Sequence, residues 1–107
     1  MNLSVLMTDD RRIRKINKQF LNHDYATDVI AFPMGAGCGD IVVSVDTAKR
    51  FAKELGIPFH EELARYLVHG TLHLLGYDDK KEKDRVKMHA RQEKILYTLG
   101  RRPKWRR

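Results

Sequence analysis

The pattern of apolar and polar residues predicts three strands and four helices in the order β-α-β-β-α-α-α. The β-branched run at 41–45 is the strongest strand pattern in the chain. Residues 29–32 predict a second short strand, bounded by Pro33, and residues 3–6 open another that ends near Thr8. This order favours an α+β fold, in which helices pack on a small mixed β-sheet.

Apolar residues at helical spacing predict the four helices. The first covers 11–21, with its apolar positions at Ile13, Ile16, Phe20 and Leu21. The second covers 47–55 and the third 58–74. The last covers roughly 81–99, with one stripe formed by Met88, Gln92, Ile95 and Leu99. The glycine-rich segment 35–39 is expected to be a flexible loop, and no phosphate-binding signature follows it.

The third helix carries a histidine pair that is typical of metal sites. His69 and His73 lie four residues apart, so a helix places both rings on one face. Gly76 offers an easy helix end, after which Asp79 can approach the two rings. Two imidazoles and a carboxylate are a three-ligand set for a catalytic zinc ion, with one position left open for water. The offsets match the metzincin pattern H-x-x-x-H-x-x-x-x-x-H, with aspartate replacing the third histidine.

A histidine pair at this spacing also occurs in ordinary helices. Here, however, its neighbours predict a largely buried helix, because most are apolar: Leu67, Val68, Leu72, Leu74 and Leu75. Burying two histidines is costly unless a ligand or a protein group satisfies them. This context favours the metal site over the ordinary helix.

Composition predicts a single domain over residues 1–100, followed by a basic tail at 101–107. No apolar run approaches the roughly 20 residues that span a bilayer, so no membrane is expected as a partner. The N-terminus lacks the pattern of a signal peptide, and the lone Cys38 fits a reducing cytosol, where a simple loop thiol is favoured over a reactive one.

The formal net charge is +7, and much of the excess lies in the tail. A basic balance favours polyanionic partners such as RNA. An aromatic ring among cations can stack on a base while the cations hold phosphate. The candidate nucleic-acid-binding residues are therefore Arg101, Arg102, Lys104, Trp105, Arg106 and Arg107. A solvated tail without a binding role is the alternative.

Several motifs resemble those of the YbeY family of bacterial rRNA-maturation endoribonucleases. HGTLHLLGYDD at 69–79 is similar to the family motif H-G-x-L-H-L-x-G-Y-D-H. TDVIAFP at 27–33 is similar to T-D/N-V-L-S-F-P, and CGDI at 38–41 is similar to L-G-D-I/L. Met88 and Glu93 stand where the family has a methionine and a glutamate in its last helix.

The resemblance implies a metal-dependent, single-strand-specific endoribonuclease that acts in rRNA maturation and ribosome quality control in the cytoplasm. His69, His73 and Asp79 would then be the metal ligands and act in catalysis through water at the metal. The expected cofactor is one Zn²⁺ per chain, with another divalent ion as the alternative. The implied partners are ribosomal RNA, the small ribosomal subunit and a ribosome-associated GTPase.

Three departures from the family pattern bear on these expectations. Asp79 replaces a histidine, and its harder carboxylate can shift the metal preference away from zinc. Leu21 stands where the family has an arginine linked to RNA cleavage, so a guanidinium that could hold phosphate is missing. The chain also begins at what resembles the family's second strand, which predicts an unprotected sheet edge.

The sequence is also compatible with two other functions. A non-catalytic ribosome assembly factor with a structural metal fits the lost arginine and the changed ligand. A metallopeptidase fits the ligand spacing, but Gly70 occupies the position of the glutamate that acts as general base in H-E-x-x-H enzymes. Asp78 is either a group that orients a ligand or an exposed turn acid, and Thr27 and Asp28 are either family site residues or a strand start.

Overall fold

The fold is given by a computed structural model, which describes residues 2–100. Three strands and four helices follow in the order predicted from the sequence, and the α+β class is confirmed. The strands are β1 (Asn2–Thr8), β2 (Val29–Gly35) and β3 (Cys38–Ser44). The helices are α1 (Asp10–Leu21), α2 (Val45–Leu55), α3 (Phe59–Leu74) and α4 (Glu82–Gly100).

The sheet has the order β1-β3-β2, with β3 parallel to β1 and antiparallel to β2. Side chains alternate between the two faces of β3. Ile41 and Val43 pack with Tyr66 of α3, whereas Val42 packs with Ile13 of α1. Helix α1 therefore covers one face of the small mixed sheet, and α3 covers the other.

The segment 35–39 is a tight hairpin, so the prediction of a flexible loop is wrong. Strand β2 continues to Gly35 and β3 begins at Cys38, which leaves a two-residue turn. The turn has positive φ angles at Ala36 and Gly37 (48° and 75°), a conformation that glycine adopts at little cost. Pro33 does not bound the strand either, because β2 is an edge strand and its proline needs no ladder donor.

Strand β1 forms the other edge of the sheet within the described residues. Its apolar side chains Leu3, Val5, Leu6 and Met7 are all exposed. An edge strand with exposed apolar residues is open to pairing with another chain segment.

Helix α1 departs from its predicted apolar stripe. Ile13 is fully buried, but Phe20 and Leu21 are exposed and Asn17 is buried instead. The Asn17 side chain donates a hydrogen bond to the Tyr25 carbonyl oxygen at 3.0 Å. The segment after α1 therefore folds back over the helix, and a polar residue satisfies its backbone.

Asp10 joins the beginnings of α1 and α2. Its carboxylate accepts hydrogen bonds from Ser44 Oγ and Thr47 Oγ1, each at 2.6 Å, and from Arg50 Nη1 at 3.1 Å. The hydroxyl donors, followed by Arg50, hold the pKa of Asp10 below its ordinary value of 3.8. The ionised form therefore stabilises the fold.

We expect Asp10→Ala to lower the free energy of unfolding by about 1–3 kcal/mol, because three hydrogen bonds to a partly buried charge are lost. The folded-state pKa lies below the unfolded one, so this stabilisation is complete above the unfolded value and is lost as pH falls through the folded value. Urea denaturation between pH 3 and pH 7 measures both effects. Asp24→Ala, which removes an exposed ion pair with Arg14, is the control. Equal losses in the two variants would contradict the prediction.

None of the helices within residues 2–100 is both long and apolar enough to cross a lipid bilayer.

Candidate metal centre

His69 and His73 lie side by side near the C-terminal end of α3. Their ring centroids are 4.8 Å apart, and the rings stand at 80° to each other. The side chains are 30% and 32% exposed, so the expectation of a largely buried helix is only partly right. Leu72 is buried, but Leu75 is exposed. The two rings are therefore open to solvent on one side, which lets a ligand reach them.

Glycine lets α3 lie directly on the sheet. A Cβ atom at Gly70 would lie 3.1 Å from Ile41 Cγ2, and one at Gly39 would lie 2.6 Å from Leu74 Cδ1. At Gly70 a side chain would force Ile41 to shift by a few tenths of an ångström, and at Gly39 it would force the flexible end of Leu74 to move. Gly70, the residue after His69, thus lets this part of α3 lie close to β3.

A bend after α3 brings Asp79 back towards the two rings. Gly76 has a φ angle of 102°, and its N–H donates to the His73 carbonyl oxygen at 3.0 Å. The Tyr77 N–H donates to the Leu72 carbonyl oxygen, also at 3.0 Å. These bonds satisfy the last carbonyls of the helix while the chain reverses. Glycine suits this position because its φ is positive.

The side chains of His69, His73 and Asp79 converge on one point. Asp79 Oδ2 lies 3.3 Å from His73 Nε2 and 3.8 Å from His69 Nε2. All three ligand atoms lie within 4.8 Å of one another. Ligands about 2.1 Å from a tetrahedral ion are separated by about 3.4 Å, so small side-chain rotations complete the set. Two imidazole nitrogens and a carboxylate oxygen can thus hold a divalent metal ion.

A family model described as Endoribonuclease YbeY matches residues 1–100. The chain belongs to the YbeY family. The resemblance seen in the sequence motifs is therefore confirmed.

Relatives named Endoribonuclease YbeY match most of the chain. It is 43% identical to the protein of Nautilia profundicola over 103 residues, which cover 92% of this chain and 73% of the relative. It is 49% identical to the Aquifex aeolicus protein over 87 residues, which cover 76% of this chain and 58% of the relative. The Myxococcus xanthus protein is 45% identical, and the match covers 94% of this chain but only 37% of the relative.

A Thermotoga maritima protein with a known solution structure has a similar fold. The TM-score is 0.66 at 30% identity, and the match covers 91% of this chain and 67% of that one. The chain thus spans between about one third and three quarters of the length of the YbeY relatives compared above.

Two residues near the candidate metal centre of this YbeY-family chain were not predicted from the sequence. Gln92 Oε1 lies 2.8 Å from His69 Nδ1, although the apolar stripe of α4 marked Gln92 only as a packing position. Arg65 contacts Glu93 of α4 through two hydrogen bonds of 2.9 and 3.0 Å. These pairs are 23 and 28 residues apart, so no local spacing could reveal them. The family match of Glu93 was the only hint in the sequence.

Other residues of the family motifs serve the local structure. Asp78 is exposed, and its Oδ1 accepts a hydrogen bond from the Lys80 N–H at 3.0 Å, as a turn acid does. Asp28 Oδ1 accepts from the Val29 N–H at 2.7 Å and from Thr27 Oγ1 at 3.3 Å, which fixes the start of β2. The structure thus gives all three residues a structural task.

The remaining candidates are not among the three converging side chains. Cys38 is exposed at the start of β3, and Leu21 is exposed at the end of α1. His23 stacks on Tyr25, with ring centroids 5.5 Å apart. The candidate nucleic-acid-binding residues Arg101, Arg102, Lys104, Trp105, Arg106 and Arg107 lie outside the described residues, so their role stays a prediction.

Proposed function

We propose that this chain is a metal-dependent, single-strand-specific endoribonuclease that acts in rRNA maturation and ribosome quality control. The observation that carries the proposal is the convergence of His69, His73 and Asp79 within 4.8 Å on a partly exposed surface. The family description and the names of the relatives support ribonucleolytic chemistry at that surface.

His69, His73 and Asp79 would hold one Zn²⁺ per chain, with another divalent ion as the alternative. When bound there, a divalent ion would supply Lewis-acid chemistry, which lowers the pKa of water and polarises a phosphoryl oxygen. The two neutral imidazoles supply nitrogen donors that suit zinc, and the Asp79 carboxylate supplies one negative charge. The rings are about one third exposed, so a phosphodiester would approach from their open side.

Positive charge away from the metal centre supports a polyanionic substrate. A surface depression of about 630 Å³ lies beside α1, and its lining includes four cations and two acids: Arg11, Arg14, Lys15, Lys18, Asp10 and Asp24. Arg14 and Lys18 are paired with Asp24. The depression is on the α1 side of the sheet and α3 is on the other, so it would bind RNA rather than take part in cleavage. Such contacts weaken as salt rises.

The proposed partners are ribosomal RNA, the small ribosomal subunit and a ribosome-associated GTPase, in the cytoplasm. A non-catalytic assembly factor with a structural metal is the second candidate. Leu21 favours it, because an exposed leucine at the end of α1 replaces the guanidinium of the family pattern. A metallopeptidase is disfavoured, because a side chain at Gly70 would point at Ile41 and Val29 of the sheet.

The proposal is tested by incubating the purified protein with single-stranded and double-stranded rRNA fragments. We expect cleavage of the single strand, loss of cleavage on treatment with a chelator, and recovery on addition of Zn²⁺ or Mn²⁺. Cleavage that a chelator leaves unchanged would overturn the metal-dependent mechanism. Retained RNA binding without cleavage under every metal condition would overturn the endoribonuclease and favour the assembly factor.

A further inference from the structure

One ring nitrogen of His69 faces the converging ligands, and the other is held by α4. Its Nε2 faces Asp79, whereas its Nδ1 lies 2.8 Å from Gln92 Oε1. An amide oxygen can only accept a hydrogen bond, so Nδ1 carries the proton in this contact. In the neutral ring, Nε2 then has the lone pair that a metal ion requires. Gln92 is only 6% exposed, so water cannot easily take its place.

A neighbouring carboxylate selects the orientation of the Gln92 amide. Gln92 Nε2 donates a hydrogen bond to Glu93 Oε2 at 3.0 Å. If the amide were reversed, its oxygen would face a carboxylate oxygen, and two acceptors would repel each other. Its N–H would then point at the His69 ring and favour a lone pair on Nδ1. Glu93 therefore keeps the amide oxygen on the side of His69.

Arg65 holds Glu93 in turn. Its Nε and Nη2 atoms donate to the two carboxylate oxygens of Glu93, a paired geometry that is stronger than a single bond. These hydrogen bonds, ahead of the ion pair itself, keep the pKa of Glu93 below its ordinary value, so the group is ionised at neutral pH. Arg65 also donates to Glu62 at 2.9 Å, which fixes the guanidinium on α3.

We propose that Gln92 is a positioning residue of the metal centre: it keeps the proton of His69 on Nδ1 and directs Nε2 to the ion. Glu93 and Arg65 set the orientation of the amide and thereby the protonated nitrogen of the ring. The inference rests on the proposed metal function of His69. Hydrogen-bonded partners of this kind raise metal affinity about 10- to 100-fold in other sites.

The test compares the zinc affinity of three variants by competition with a coloured chelator. Gln92→Leu keeps the buried volume but removes the acceptor, and we expect about 10- to 100-fold weaker zinc binding. Gln92→Glu keeps an acceptor towards Nδ1 but sets a second carboxylate against Glu93 Oε2, so its zinc affinity should lie between those of the wild type and Gln92→Leu. Arg91→Leu is the control: it places a leucine at the preceding position of α4, which is exposed, and should bind zinc like the wild type.

A second measurement follows the Nδ1–H proton of His69 by NMR, in the metal-free and the zinc-loaded protein. In the wild type and in Gln92→Glu this proton should exchange slowly with water, and in Gln92→Leu its signal should be lost. Equal zinc affinity or an unchanged signal in Gln92→Leu would overturn the role of Gln92 alone. A wild type that binds no zinc or other divalent ion would overturn the proposed function of the site as well.

Discussion

Replacement of His73 by alanine should abolish metal binding and RNA cleavage together. The variant removes one of two imidazole ligands, and His69 and Asp79 alone leave a two-ligand set. Residues that contact a ligand but not the ion already change metal affinity by about 10- to 100-fold. Loss of a ligand itself should therefore weaken metal binding by about 100-fold or more. Zinc affinity and initial rates of cleavage of a single-stranded rRNA fragment measure the two losses.

The fold should survive this change. The His73 side chain is 32% exposed, and surface truncations usually alter stability by less than about 1 kcal/mol. His60→Ala, an exposed histidine in the first turn of the same helix, is the matched control and should keep both metal and activity. Full cleavage by His73→Ala, with a normal thermal transition, would contradict the assignment of His73.

Replacement of Asp79 by alanine should lower metal occupancy from near one ion per chain. Its carboxylate is the third donor, at 3.3 Å from His73 Nε2, and its negative charge offsets part of the charge of the ion. We expect zinc affinity to fall at least about tenfold, in line with the loss of a hard anionic ligand. Asp79→His should keep zinc bound, because it supplies a third nitrogen and matches the family motif.

Asp78 provides the matched control for Asp79. It is the adjacent acid in the same turn, but its carboxylate caps the Lys80 N–H and is exposed. Asp78→Ala should leave metal content unchanged by elemental analysis of protein purified without chelator. If Asp79→Ala retains full occupancy under the same conditions, Asp79 is not a ligand.

The three side chains of the candidate metal centre were predictable because their geometry is local. A spacing of four residues in a helix places His69 and His73 on one face, and Gly76 supplies the bend that returns Asp79 within six residues. The structure brings together the same three residues. Their solvent exposure was not predictable, because apolar neighbours do not show which side of a helix another element covers.

The wrong predictions about the fold concern a sheet edge, a hairpin turn and the segment that folds back over α1. A proline usually ends a strand, because it has no N–H to donate to a neighbouring strand. Strand β2 continues through Pro33 because it lies at the edge of the sheet, where that N–H is not needed. The glycines at 35–37 act as a tight turn because β2 and β3 pair across them. Asn17 is buried because its amide reaches the carbonyl of Tyr25. Each result depends on what lies opposite the residue, and a sequence pattern does not contain that information.

The amino-acid sequence by itself determined the order of the elements and the three converging side chains, because these follow from periodicity and short spacing, and its motifs resembled those of the family. Only the tertiary structure decided which buried amide faces His69 and which ion pair orients that amide. The reason is physical: α3 and α4 meet through side chains 23 to 28 residues apart, at a position set by packing of both helices. Helical periodicity specifies the apolar face of each helix, but not which residue of one helix meets which residue of the other.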